Sequence, residues 1–474
     1  MSIPLRAVAG MLALIVAGAA SAQRVPEPDW RATEAETLQH FQALVRMDTS
    51  DPPGNEQPAA DYLEQVLERE GIPVQVFAVE PHRPNVVARL KGSGAKRPIL
   101  IMGHTDVVNV DPSKWSHPPF GAEQADGYIY GRGTTDDKDN VTAALMVMLL
   151  LKRNNVPLDR DVIFLAEAGE EGSTRVGIEP MVNEHFDAID AEYCIAEVGN
   201  VIRANGAVRY ATVATAEKLP RGMDLVARGP SGHGSIPLET NAVVHLARAV
   251  AAVAEWQPPI VLNPTTRAYF ERLAAISPPE QARRYRGLLS ADPSVVAAAD
   301  AWLRANEPQH ASMLRTSVSP NIVQAGYRNN VIPSEARATL DVRMRPGDDP
   351  EALRAELARV IDDPAVEVVR NGFGGRPAAP VSSIDNEAFA VIEAAITRHY
   401  KTATLPMMTT MATDMAFLRA KGMQCYGVGP AIDEEDGPKG FGPHSDQERL
   451  LEAELYRFVR FHYDVVAELA AKKR

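Results

Sequence analysis

Cysteine is almost missing from this chain: 474 residues carry two, Cys194 and Cys425. Two thiols cannot build the disulfide framework of a small secreted fold. Each sits in an apolar strand-like run (YCIAEV, QCYGVG), the setting of a buried free thiol; sequence leaves open whether a single bridge joins them. A membrane-spanning run is missing too. The apolar stretch from Ala7 to Ala20 falls short of the roughly 20 residues a span needs. With Arg6 before it and Ala20-Ser21-Ala22 after it, it reads as a cleavable export signal, the mature chain starting near Gln23. No cysteine stands near that point, so the expectation is a periplasmic or secreted protein without a stable membrane anchor. Positive charge is in deficit, 49 Lys and Arg against 62 Asp and Glu, a formal charge of -13. Such acidity argues against a nucleic-acid partner. Internal repeats and long low-complexity segments are also missing.

What remains, 45% hydrophobic and 23% charged residues, is the composition of a globular chain, and its length favours two domains or one domain with a large insertion. From Pro98 to Val198 short apolar runs alternate with helical stretches (PILIMGHTD, NVTAALMVMLLLKRN, DVIFLAEAGEE, AEYCIAEVG), predicting a mostly parallel sheet covered by helices. From about Val208 to Arg370 the order is βαββαβ-like, an α+β unit inserted into the first. The Gly- and Pro-rich NGFGGRPAAP, Asn371 to Pro380, reads as a linker, after which an α/β pattern resumes. The expected division is 1–22 signal, 23–207 first catalytic part, 208–371 inserted domain and 372–474 second catalytic part. The helical stretch Pro258 to Arg315 is expected to extend the inserted domain.

Polar residues recur at successive strand ends: His104 and Asp106 in IMGHTDVV, Asp136 in GRGTTDDKDN, Glu170 and Glu171 in FLAEAGEEGS, Glu197 in CIAEVG. His444 lies in FGPHSDQE. Singly, each is an ordinary turn, cap or ion-pair residue. Together they suit two divalent cations, which a carboxylate must bridge to offset their mutual repulsion. Asp136 suits the bridge, because Gly131-Arg132-Gly133 lets backbone approach the site. Histidine and carboxylate ligands suit zinc. The adjacent acids then divide the work: Glu171 faces a metal, and Glu170 takes a proton from water, a turn through Gly172 bringing both to one cavity.

GHTDVV, the spaced W..PPF of Trp115 to Phe120, DGYIYGRGTTDDK, EAGEEGS, GPSGHGS, NVIP, LDVR and GPHSDQE resemble, in this order, the aminoacylase and carboxypeptidase family of dizinc metallopeptidases. That family includes glutamate carboxypeptidase, carnosinase, carboxypeptidase S and succinyl-diaminopimelate desuccinylase. The likeness runs from about Glu34 to the C-terminus. It implies a zinc-exopeptidase-type α/β catalytic domain with an inserted ferredoxin-like lid, which in relatives often mediates dimerisation. It implies that His104, Asp136 and Glu197 hold one zinc and that Asp136, Glu171 and His444 hold the other, with Co2+ or Mn2+ as substitutes. Asp106 would orient His104, and Glu170 would act as general base. His233 of GPSGHGS would reach the substrate carbonyl, across a subunit boundary in dimeric relatives. Asn330 and Arg343 would contact substrate from the lid, and Gly427, Gly429 and Pro430 would form a substrate loop. For Arg343 a strand-end salt bridge is an equal alternative.

Asp139 stands where many members have Gly, and Met411 where a small residue is common; neither removes a ligand. The expected activity is cleavage of an amide beside a free carboxylate in a small peptide or an N-acyl amino acid. Peptidase and aminoacylase specificities stay open, and a catalytically silent metal- or peptide-binding protein on the same fold is the competing class.

Overall fold

The computed structural model describes residues 27–472; the expected export signal lies outside them. Among those residues ten strands join into one mixed sheet. At its centre Val162–Glu167, Ile99–His104, Tyr193–Ala196 and Gln424–Gly427 lie side by side and parallel. The first two are buried at every residue, as continuous apolar runs require when both faces are covered. Ile99 and Ile101 face a core that includes Leu145 and Leu149 of helix Lys138–Arg153 and Phe458 and Val466 of helix Glu452–Ala470. Leu100 and Met102 face the opposite core with Met181, Met415 and Leu418. This alternation is the two-residue period of a strand. Parallel registration brings the carboxyl ends to one edge: His104 lies opposite Glu167 and Gly427 opposite Ala196. In open α/β sheets ligands gather there.

A second, five-stranded antiparallel sheet is built from Leu219–Pro220, Met223–Arg228, Ser317–Ala325, Glu335–Met344 and Val366–Arg370. Along Glu335–Met344 every second residue, from Ala336 to Met344, is buried beneath helices Ala242–Glu255 and Pro350–Ile361, which contribute Leu246, Val253 and Leu357. The helix starts are written locally. Asn241 accepts from the Val243 N–H, and Asp349 accepts from the Glu351 N–H with Pro350 at the first position, both standard ways to satisfy orphan donors. The βαββαβ order matches the expected α+β insertion.

Two expectations need correction. The boundary at 207/208 falls at the start of strand Ala207–Glu217, which belongs to the large sheet and pairs with Thr404–Thr409 along much of its length. Its alternating pattern looked like a lid strand, but its burial deepens along the chain and its last seven residues are all buried; the small sheet begins at Leu219. The segment around Pro258 to Arg315 is likewise not an extension of the lid core. Its helices Pro264–Ile276, Pro279–Gly287, Pro293–Asn306 and Pro308–Met313 share a core of their own that closes on Leu405 and Met407 of the large sheet. An edge strand of the large sheet needs cover, and the apolar face carrying Tyr269, Phe270 and Leu273 supplies it.

Cys194 and Cys425 are register partners on neighbouring parallel strands, both buried and both free. Near them Arg419 donates to Glu217 Oε2 at 2.6 Å and to the Cys425 carbonyl at 3.0 Å. Glu217 in turn accepts from the Thr413 N–H at 3.1 Å and the Thr413 hydroxyl at 2.8 Å. Arg419 and Glu217 are each about 1% exposed at the side chain. Removing one partner leaves the other charge buried, so Glu217→Ala is expected to lower the free energy of unfolding by about 3–5 kcal/mol, read from urea denaturation.

Candidate metal centre

His104 ends its strand with its ring 1% exposed. Its Nδ1 lies 3.0 Å from the Asp106 carbonyl oxygen. A carbonyl only accepts, so Nδ1 carries a proton and Nε2 is the nitrogen aimed at the site. Nε2 stands 3.0 Å from Asp136 Oδ1. The other oxygen, Asp136 Oδ2, stands 3.2 Å from His444 Nε2, which also lies 2.8 Å from Glu171 Oε1. Each oxygen of one carboxylate therefore faces a different imidazole. Glu197, just past strand Tyr193–Ala196, places Oε2 3.9 Å from His104 Nε2. Thus His104, Asp136, Glu171, Glu197 and His444, spread over more than 300 residues of chain, converge on one centre.

The turn carrying Glu170 and Glu171 is held from below. Asp106 accepts from both of their backbone N–H groups, at 3.2 and 3.0 Å. The positive φ of the turn falls at Gly169 (φ 73°) rather than at Gly172; Gly172 is required because a Cβ there would lie 2.3 Å from Asp51 Oδ2. The two side chains diverge, Glu171 toward His444 and Glu170 toward Arg376, whose Nη2 donates to Glu170 Oε1 at 2.7 Å. Asp106 thus does more than orient His104: its carbonyl fixes the ring and its carboxylate fixes the acidic pair.

Arg376, Asp414 and Glu448 were not legible as site residues. Arg376 sits within the stretch read as a linker, yet it donates to Glu170, to Asp414 Oδ1 at 3.1 Å and to the Thr413 carbonyl at 3.1 Å. Glu448 is fully buried and accepts from Arg132 Nη1 at 2.7 Å and from the backbone N–H groups of Gly133 and Thr135 at 3.1 and 2.8 Å. Arg132 also donates to the Ser445 carbonyl at 3.0 Å. The loop of His444 is thereby tied to the turn of Asp136. Their only sequence signal is a lone charge beside a motif, which spacing cannot distinguish from a surface residue.

Electrostatics show how strained this arrangement is with the protein's own charges alone. Burial would raise the Asp136 carboxyl, but hydrogen bonds from His104 and His444 outweigh it and hold it well below the usual range. His444 is pushed up to about 10 by its bonds to Asp136 and Glu171. Glu197 is raised far above its ordinary value, first by burial and then by the charges of Glu170 and Asp137. Burial and Asp414 likewise raise Glu170, with Arg376 opposing. Asp137 is raised by burial; its oxygens accept from the His104 N–H and from Asn140, so it braces the site. Donor atoms of His104, Asp136 and Glu171 lie within 4.8 Å of one another, as do those of His104, Asp137 and Glu197. Carboxylate and imidazole donors this close, with a net negative charge, fit divalent cations.

The lid residues lie apart from this cluster. His233 is exposed on a short strand, Gly232–His233, paired with Val331–Ile332. The Asn330 carbonyl accepts from the Gly234 N–H at 2.9 Å, so two segments distant in the chain bring His233 and Asn330 together; among the described residues no hydrogen bond or ion pair joins either to the cluster. Arg343 is engaged with Asp341, Nε to Oδ1 at 2.8 Å, which is the salt-bridge alternative. Gly427 and Gly429 press on the segment after the fourth acid: Cβ atoms there would lie 2.1 Å from the Glu197 carbonyl and 2.2 Å from that of Gly199. Their visible role is to let two backbones meet and seat Glu197.

Residues 100–468 match the peptidase family M20/M25/M40. A probable carboxypeptidase S-like 2 of Dictyostelium discoideum is 28% identical over 387 residues, 78% of this chain and 71% of that protein. An N-fatty-acyl-amino acid synthase/hydrolase of Xenopus tropicalis is 29% identical over 60% of this chain, which spans 56% of that relative. Among solved structures, an M20 family metallo-carboxypeptidase from Sulfolobus solfataricus superposes with TM-score 0.68 at 18% identity, over 91% of this chain and 98% of that one. Human carnosine dipeptidase 1 does so with TM-score 0.60 at 16% identity, over 93% and 97%. At such identities these likenesses speak to the fold.

Metal and protons compete for the same atoms. His444 keeps its proton in the folded, metal-stripped protein up to about 10, whereas unfolded histidine loses it near 6.5. Its stabilising contribution is complete below the unfolded value and is lost as pH rises through the folded one. The raised carboxyls of Glu170 and Glu197 shift stability the same way, theirs being complete only below the ordinary carboxylate range. Chelator-treated protein is therefore expected to melt at a lower temperature at about pH 9 than at about pH 6. Added divalent metal should raise the melting temperature more at the higher pH, as scanning calorimetry would record.

Proposed function

The chain belongs to the peptidase family M20/M25/M40, and from that premise we propose that it hydrolyses the amide bond beside a free carboxylate in small peptides or N-acyl amino acids, with Glu170 moving the proton. The single observation that carries this reading is the pairing of each Asp136 oxygen with a separate histidine, with a half-buried Glu170 of raised pKa beside them. His104, Asp136 and Glu197 would hold one metal ion and Asp136, Glu171 and His444 the other. In our reading both are zinc, replaceable by Co2+ or Mn2+, and when bound they supply Lewis acidity to the substrate carbonyl and lower the pKa of water.

The protein's own share of the chemistry lies in Glu170. A carboxyl whose pKa is lifted out of the ordinary range accepts a proton more readily at neutral pH than a free glutamate. It can return that proton to the departing amine. Arg376 holds the acid in place through Oε1 and limits the rise in its pKa, while Asp106 clamps the backbone on which it turns. In this reading His233 would reach the substrate carbonyl, and Asn330, beside it where Gly232–His233 pairs with Val331–Ile332, would contact the substrate from the lid. Pairing of two copies through the lid, and export directed by residues 1–22, belong to the same proposal.

A purely binding role would leave the Glu170–Arg376–Asp414 set without purpose, since a base is needed only for catalysis. Dipeptides and N-acyl amino acids assayed side by side separate peptidase from aminoacylase preference. Glu170→Gln is expected to lower kcat by about 10²–10⁴-fold on whichever substrate the wild type accepts. Metal content, measured by plasma mass spectrometry, should stay at that of wild type. Full activity in this variant would remove Glu170 from the mechanism, and loss of metal would recast it as a ligand.

A further inference from the structure

The two histidines of the centre are held in different ways. His104 is 1% exposed and the Asp106 carbonyl fixes its Nδ1, whereas the His444 side chain is 53% exposed and meets Asp136 and Glu171, the acids it faces. The placement of His444 therefore depends on its loop. The backbone there is not one a side chain favours: His444 has φ 60°, in the left-handed region that a residue with a Cβ usually avoids. Gly437, Gly440 and Gly442 leave the segment before it permissive. On its inner side the loop borders a cavity of about 170 Å3, where Phe441, Gly442 and Pro443 face Tyr128, Thr135 and Leu450. No packed core fixes the loop on that side.

What closes the loop is one arginine. Arg449 donates from Nη2 to Asp436 Oδ1 at 2.6 Å and from Nε to Asp436 Oδ2 at 3.2 Å, a two-point pair between residues 13 apart in the chain. Its guanidinium carbon lies 3.8 Å from the centre of the Tyr128 ring and 4.0 Å from that of Phe441, and Nη1 donates to the Tyr130 hydroxyl at 3.0 Å. Main-chain bonds follow the same path, from the Arg449 N–H to the Phe441 carbonyl at 3.3 Å and from the Phe441 N–H to the Asp436 carbonyl at 2.9 Å. Arg449 and Asp436 are 15% and 11% exposed at the side chain, where a bidentate pair and aromatic contacts count for more than on open surface. The planar fork is essential to this geometry, and a lysine ammonium lacks it. Strand Arg449–Leu451 pairs with Tyr128–Tyr130, and the latter runs through Gly131 into the turn of Asp136. One strand thus anchors the clasp and leads to the bridging acid, so the clasp sets how His444 stands to Asp136. Among the described residues no hydrogen bond or ion pair joins Arg449 to a proposed metal ligand. Its influence on the centre passes through the loop.

We propose that Arg449 is a positioning residue for the cation held by Asp136, Glu171 and His444: its clasp on Asp436 closes the loop 436–449 and presents His444. Loosening the clasp weakens that cation and spares the one held by His104, Asp136 and Glu197. The proposal rests on the two-metal reading above and adds the device on which one of the two sites depends. Zinc titrated into chelator-stripped protein against a coloured competing chelator tests it, because the curve gives both the number of ions and their affinities. The wild type is expected to bind two. Arg449→Met should weaken one of them by about 10–100-fold and leave the other no weaker. Arg449→Lys, which keeps the charge without the fork, should fall closer to Arg449→Met than to the wild type. His444→Ala supplies the reference: in that background Arg449→Met should leave the remaining affinity unchanged, because the clasp acts only through that ring. Should Arg449→Met melt well below the wild type, Asp436→Asn, which loosens the same pair and keeps the aromatic contacts, replaces it in the series. Two unmoved affinities, or equal weakening of both, overturn the clasp and leave the two-metal reading intact. An undiminished effect of Arg449→Met in the His444→Ala background does the same, making Arg449 a general support of the fold. A wild type that binds fewer than two zinc ions sinks the two-metal reading, and the proposal with it, before any variant is compared.

Discussion

One carboxylate shared between two imidazoles is the contact on which the rest of this structure turns. Asp136 cannot be withdrawn from water with Glu170, Glu171 and Glu197 around it unless positive charge is brought close. The protein supplies part of that charge through His104 and His444, and the strongly raised carboxyls record how incomplete the compensation is. A site with this imbalance is built for cations from outside the chain. Because its ligands come from three strand ends of the large sheet, the turn before helix Lys138–Arg153 and a distant loop, it exists only while that sheet is folded, which links metal occupancy to the stability of the catalytic domain.

Placing so many like charges together is made workable by buried groups that grip backbone. Asp106 takes two consecutive N–H groups beneath the acidic turn, and Glu448 takes two more beneath the Asp136 turn while pairing with Arg132. A third bracket runs from Arg419 through Glu217 to Thr413 and from there to Arg376 and Glu170. It runs from the buried core of the large sheet to the half-buried pair of Arg376 and the proposed base. Each bracket uses an ionised side chain whose partners are fixed by secondary structure, so rotation of one acid is opposed by several hydrogen bonds.

Architecture assigns the surroundings of the centre to different parts of the chain. The small sheet, with alternate residues facing its helices, is a layer with a core of its own, and the short pairing that carries His233 lies outside both sheets. The helices between 264 and 313 instead close the edge of the large sheet and leave a cleft against it. A single insertion in the sequence thus serves two ends: one portion has its own core, and another completes the core of the domain it interrupts.

Much of this could be read from the linear chain, for identifiable reasons. Strands such as Ile99–His104 and Val162–Glu167 are continuous apolar runs ending in polar residues, so both the parallel sheet and the position of its ligands follow from pattern. Asp136, Glu171 and His444 were marked by ligand-type chemistry in Gly-rich turns. The strand Ala207–Glu217 was assigned to the wrong sheet because alternation reports one buried face without saying which neighbour buries it. Arg376, Asp414 and Glu448 passed unmarked because a charge gains meaning from a partner in a different segment, for Arg376 and Glu448 one hundreds of residues away. By itself, then, the amino-acid order determined the local periods, the turns and the inventory of ligand side chains, since these depend on neighbours along the backbone. Which acid faces a histidine and which faces an arginine, and which helices wall the cleft, was decided only by tertiary packing, because such choices rest on distances between segments that the chain does not encode locally.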